Sequence, residues 1–197
     1  MLHLVSISNP LLLCLHGWGG SKESFTELRA ALNGAPIEIL SPDLPGFGTE
    51  KEPLRAWNVD DYAAWVEQYV LAHARMHGRK LLLLGHSHGG RIAMKLAVRG
   101  NLSIHRLYLC APAGIRRGQY VKRAMGFLIA KTGKLLLRLP LMLNRIEPLS
   151  RRLLYRLLRT HDYERASTVM RETMARITAE NFRPLLPQIQ IPTDIFW

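Results

Sequence analysis

The chain has 197 residues, 48% hydrophobic, 21% charged and 8% aromatic, with 15 Gly and 11 Pro. Such a composition belongs to one globular domain with a sizeable core and excludes a disordered chain, a collagen-like repeat and a disulfide scaffold; no apolar run reaches the roughly 18 residues of a transmembrane helix. The 27 Lys+Arg against 15 Asp+Glu give a net charge of +12, which points to an acidic partner without choosing among nucleic acid, anionic membrane and acidic protein.

The N-terminal stretch MLHLVSISNPLLLCLHG carries no Lys or Arg before its apolar region and no small-residue cleavage site after it. It reads as a strand and not as a signal peptide, and a cytoplasmic protein is expected. Leu11 to Leu15 is a buried strand ending in the glycine-dense turn His16-Gly17-Trp18-Gly19-Gly20. Ser21 caps a helix with Phe25, Leu28 and Leu32 on one face, stopped at Asn33-Gly34. A second strand, Pro36 to Leu40, opens into Ser41-Pro42-Asp43-Leu44-Pro45-Gly46-Phe47-Gly48.

Asn58 or Asp60 caps a long helix whose stripe Tyr62, Trp65, Val66, Tyr69, Val70 and His73 is expected to pack in the core, with Gly78 as its stop. Leu81 to Leu84 is a third buried strand, followed by Gly85-His86-Ser87-His88-Gly89-Gly90 and a helix to about Arg99. Arg106 to Ala111 makes a fourth strand. Strands alternating with helices in this way predict a mostly parallel α/β sheet covered on both faces. Cys14 and Cys110 sit inside apolar runs and are expected to be reduced core residues.

The rhythm breaks near residue 114. Residues 115–161 hold twelve Lys and Arg against the single acid Glu147, in a leucine-rich helical pattern broken at Pro140 and Pro148. A further helical stretch runs from about Tyr163 to Thr178. A fifth strand begins at Thr193. The expected division is a core of residues 1–114 and 185–197 with an inserted basic helical cap, 115–184.

Gly85-x-Ser87-x-Gly89 between a buried strand and a helix reads as a nucleophile elbow. The sharp turn strains the serine backbone, needs small residues two positions either side, and holds the hydroxyl above the end of the sheet. The negative oxygen formed on attack needs N–H donors; His88, next after the serine, is one, and Trp18 in the turn after the first strand is the other. The Trp18 indole is expected to line the acyl pocket.

Four pieces, LLLCLHGWGGS, SPDLPGFG, LLLLGHSHGGRIAMKLA and RPLLPQIQIPTDIFW, together resemble the α/β-hydrolase family with a helical cap, in family order and spacing. The HGWG and DLPGFG pieces are also similar to those of carboxylesterases acting on acyl-carrier-protein methyl esters. The resemblance implies ester or related acyl hydrolysis by Ser-His-Asp, with no metal or organic cofactor, and a strand order of second, first, third, fourth, fifth. It also implies that the acid follows the fifth strand and the histidine comes later still, so neither is expected within this chain. The sequence therefore reads as an incomplete α/β-hydrolase, lacking the last strands and helices, and is expected to be poorly soluble and nearly inactive by itself.

Other residues offer no clear substitute. Asp194 stands at the start of its strand, at the wrong end of the sheet, and Ala111-Pro112-Ala113-Gly114 offers no carboxylate. His86 and His88 leave the turn in other directions than toward the serine, His16 supports its own loop, His161 belongs to the cap, and Asp43 orders the loop that contains it. His86 and His88 without a nearby third ligand do not make a metal site. Besides ester hydrolysis, the same site suits C–C hydrolysis, acyl transfer or perhydrolysis, and a non-catalytic module binding through its basic cap is the rival of another class. A small ester or acyl substrate is the expected partner. The basic segment 115–161 is a candidate surface for an anionic membrane, with peripheral attachment, or for an acyl carrier protein; nucleic acid is disfavoured because aromatics for base stacking are sparse there.

Overall fold

Five consecutive apolar residues have no polar face to turn to water, and Leu11–Leu15 forms strand β1 with every residue buried. The computed structural model describes residues 9–74, 79–115 and 166–197. Strands β1, β2 (Glu38–Leu40), β3 (Leu81–His86), β4 (Ile104–Cys110) and β5 (Thr193–Phe196) make one parallel sheet in the order β2-β1-β3-β4-β5, as the resemblance implies. Leu15 is in register with Gly85, and His86 with Cys110. The carboxyl ends of the three central strands therefore finish side by side, where open α/β sheets hold their ligands.

One face of the sheet is covered by a cluster of Leu12, Cys14 and Phe25 with Leu28 and Leu32 packed against it. The expected single helix after Ser21 is a 3₁₀ turn, Lys22–Phe25, running into helix α1, Thr26–Ala31; Ser21 accepts from the Glu23 amide and Ser24 returns the bond to the Ser21 amide. Helix α3 (His88–Arg99) packs on β1, β3 and β4, and α2 (Val59–His73) packs on α3, with Asn58 capping α2 through the Asp61 amide and Gly100 ending α3 in a left-handed conformation. Both cysteines are free; Cys14 is fully buried and Cys110 partly so. Burial pushes the Cys14 thiol up to about 12 and raises that of Cys110 as well, which keeps both protonated.

One expectation is corrected on α2. Its core face is Val59, Tyr62, Ala63, Val66 and Val70, whereas Trp65 and Tyr69 are half-buried and His73 is exposed. Those three stack instead as a ladder on the helix flank, with ring centroids 5.1 Å and then 4.2 Å apart. Residues four apart drift around a helix by about one-ninth of a turn, so a stripe counted in fours slides off the buried face.

Residues to Ile115 and Thr168–Trp197 form one compact unit, and Arg116–Ser167 a second. The basic segment, most of the expected cap and His161 lie outside the described residues. Helix α4 (Thr168–Ala179) belongs to the first unit. It is tied down by Thr173, which accepts from the Trp57 amide, and by Arg91, which donates to the Ile177 carbonyl at 2.6 Å. Glu180, just after α4, accepts from the Val59 amide at 3.0 Å. Beyond it Ile195, Phe196 and Trp197 are largely exposed. Among the described residues no helix is long and apolar enough to cross a membrane.

Candidate functional site

Ser87 joins β3 directly to α3 with φ 50° and ψ −107°, a backbone conformation that costs a residue with a side chain roughly 1–3 kcal/mol. The surroundings hold it there. Its amide donates to the Cys110 carbonyl, and its carbonyl accepts from the amides of Gly90 and Ala113, each at 3.1 Å. The flanking glycines permit the turn. A Cβ on Gly85 would lie 2.5 Å from the Gly89 carbonyl oxygen, and one on Gly89 would overlap the carbonyl of Leu15. The Gly89 amide donates to His16 O at 3.0 Å, so α3 is bonded to the end of β1.

The turn after β1 passes beside the serine: a Cβ on Gly17 would stand 3.3 Å from the Ser87 Cβ. His16 organises this turn from a fully buried position. Its Nε2 accepts from the Leu44 amide at 2.9 Å, so the ring proton sits on Nδ1, which donates to the Gly17 carbonyl at 2.8 Å. The Gly20 amide donates to the same carbonyl at 3.1 Å. In a trans peptide the N–H points opposite to its carbonyl, so these two bonds also fix the direction of the Trp18 N–H. Burial is the chief cause that lowers the His16 pKa; the bond to Gly17 and the charge of Asp43 oppose it, and His86 adds to it.

Asp43 braces the loop from the other side. It accepts from the Lys22 amide at 2.6 Å and from both the amide and the hydroxyl of Thr49 at 2.9 Å. Burial raises its pKa, but those bonds and the Lys22 charge outweigh it and the net shift is downward. Gly48, at φ 56°, leaves the room: a Cβ there would overlap the Asp43 carboxylate.

An aromatic wall stands beside this backbone. Trp18 packs edge-on against Phe47 with centroids 4.8 Å apart, and His88 lies edge-on to Tyr62 at 4.9 Å and to Trp18 at 5.7 Å. Met170 of α4 presses on Gly46, where a Cβ would meet its Cε at 2.5 Å. His88 is 2% exposed, and neither ring nitrogen has a hydrogen-bond partner among the described residues. Burial, then the charges of Arg91 and His16, push its pKa down to about 3.

The structure thus brings Ser87, Trp18 and His88 together. His86 is exposed at the end of β3. The Asp194 carboxylate is spent on Arg106 at 2.8 Å. Among the described residues no histidine is hydrogen-bonded to the Ser87 hydroxyl. Sequence reasoning missed Arg91, whose buried guanidinium holds α4; a basic residue inside the buried pattern directly after Gly89-Gly90 was the available signal.

A family model described as "Alpha/beta hydrolase family" matches residues 12–196. The chain is 33% identical to Lipase 3 of Moraxella sp. (strain TA144) over 55% of its own length and 34% of that protein. It is 30% identical to Lipase 1 of Psychrobacter immobilis over 55% and 33%. The crystal structure of a membrane phospholipase A, described as a novel bacterial virulence factor, superposes with a TM-score of 0.62 at 26% identity, covering 95% of this chain and 62% of that one. The chain spans two fifths or less of the curated relatives it matches.

Proposed function

The chain belongs to the alpha/beta hydrolase family, and from that premise we propose that it is a serine hydrolase of carboxylic esters with Ser87 as the nucleophile. The observation that carries this reading is the strained Ser87 backbone at the end of β3, with the His16–Trp18 turn alongside it. Ser87 Oγ attacks the ester carbonyl carbon, its proton passes to a base, and the carbonyl becomes a tetrahedral oxyanion. Collapse expels the alcohol and leaves an acyl-serine, which water hydrolyses to the acid.

The oxyanion donors in this proposal are the amides of Trp18 and His88. Neighbouring amides are engaged elsewhere: Ser87 N–H on Cys110, Gly89 N–H on His16 and Gly20 N–H on Gly17. One such donor is typically worth about 10²–10³ in kcat. An unassisted serine hydroxyl is a weak nucleophile, so the reaction also needs a base. The triad acid and histidine are proposed to follow β5, as the resemblance implies.

Lipidic esters are the substrate class proposed, because the similar proteins include two lipases and, among solved structures, a membrane phospholipase A. The cap is proposed as residues 115–184. Its basic, leucine-rich part suits contact with an anionic surface, a membrane or an acyl carrier protein. Vesicle co-sedimentation at low and high salt tests that: equal, negligible binding to anionic and neutral vesicles rejects the membrane. For the nucleophile, a mechanism-based phosphonate applied to the full-length protein labels Ser87 alone; labelling of another serine, or labelling that persists in Ser87→Ala, overturns the assignment. No labelling and no ester turnover would favour a non-catalytic basic binding module.

A further inference from the structure

His88 is proposed above only for its backbone amide, yet its side chain is the anomaly of the site. A neutral imidazole presents one donor and one acceptor nitrogen, and buried polar atoms are normally hydrogen-bonded. Here the ring is 2% exposed, with both nitrogens unpartnered among the described residues. The groups around it are committed elsewhere. Tyr62 donates its single hydroxyl proton to Pro45 O at 3.1 Å. Both His16 nitrogens are bonded, to Gly17 and Leu44. Arg91 donates to the carbonyls of Ile177 and Glu180. The edge-on contacts with Trp18 and Tyr62 are weak substitutes for a donor nitrogen and do nothing for an acceptor nitrogen. A leucine or phenylalanine would fill the same space without burying two polar atoms.

We infer that the His88 imidazole reads the substrate: it hydrogen-bonds a neutral oxygen substituent, a hydroxyl or keto group, on the acyl chain close to the scissile carbonyl. The inference rests on the reading of Ser87 as the nucleophile, which sets the reacting carbon beside the residue that bears the ring. The ligand group is neutral because the ring packs between the uncharged rings of Trp18 and Tyr62, and the Arg91 guanidinium is engaged with backbone carbonyls. A hydroxyl can satisfy either nitrogen, since it both donates and accepts.

The test compares matched p-nitrophenyl esters of 3-hydroxybutyrate and butyrate on the full-length protein, its His88→Phe variant and its His88→Gln variant. The ratio of kcat/KM for the two esters cancels damage to the oxyanion site that both share. The wild type is expected to prefer the hydroxylated ester by about tenfold, the worth of one buried hydrogen bond. His88→Phe brings the ratio to unity, and His88→Gln, which keeps a donor and an acceptor, restores part of it. Binding of 3-hydroxybutyramide and butyramide to Ser87→Ala gives the same comparison without turnover. Ester hydrolysis persisting in Ser87→Ala removes the nucleophile reading alone. Equal or undetectable binding of the two amides, or an ester ratio near unity in the wild type or unchanged in His88→Phe, overturns the role of His88.

Discussion

The Gly89 amide donates to the His16 carbonyl at 3.0 Å, and this bond joins the first turn of α3 to the end of β1. Through it the nucleophile turn and the turn that carries Trp18 are held as one piece. The contact exists only because residue 89 has no side chain, since a Cβ there would overlap Leu15 O.

Gly89→Ala should therefore cost more than an ordinary glycine replacement in a helix. Overpacking typically costs about 1–3 kcal/mol, and here the obstacle is backbone that cannot rotate away. Urea unfolding should show a loss at or above the upper end of that range; a midpoint within error of the wild type would contradict the packing argument.

Ser87 separates strain from chemistry. Ser87→Gly relieves φ 50°, so it should be more stable than Ser87→Ala by about 1 kcal/mol, after allowing for the extra chain entropy glycine loses on folding. Both variants should lose ester hydrolysis together, by orders of magnitude approaching about 10⁶-fold where a full triad operates. Thermal unfolding and ester turnover measured side by side check this; retained activity in either variant rejects the nucleophile.

Acidification should weaken the fold through its two buried imidazoles. The His16 pKa is lowered from 6.5, and that of His88 falls to about 3. A lowered histidine pKa means that the unfolded chain takes up the proton first, so stability is full above the unfolded value and declines as pH falls below it. Each ring contributes up to about 1.4 kcal/mol per pH unit until its folded pKa is reached. The lowered pKa of Asp43 acts in the same direction, but only from about 3.8 downward. Between pH 6 and 4 the slope of unfolding free energy against pH should be shallower in His88→Gln; an unchanged slope would show that His88 takes up its proton equally in both states.

Asp43→Ala leaves the amides of Lys22 and Thr49 without their acceptor. A loss of about 1–3 kcal/mol is expected. Because the aspartate braces the loop and touches no reacting atom, phosphonate labelling of Ser87 should slow without moving to another residue. Unaltered stability on urea titration would remove the bracing role.

The sequence by itself determined the parallel sheet, through short apolar runs such as Leu11–Leu15 with helical periodicity between them, and it located the elbow, through Gly85 and Gly89 around Ser87. Those signals are local: period, run length and the sterics of one turn are written in adjacent residues. Tertiary structure decided what depends on partners distant in the chain. It put His88 between Trp18 and Tyr62, gave Asp43 the amides of Lys22 and Thr49, moved Trp65 and Tyr69 off the core face, and set Arg91 on the carbonyl of Ile177. A side chain's neighbours across the fold fix its burial, its hydrogen bonds and its charge state, and no spacing along the chain encodes them.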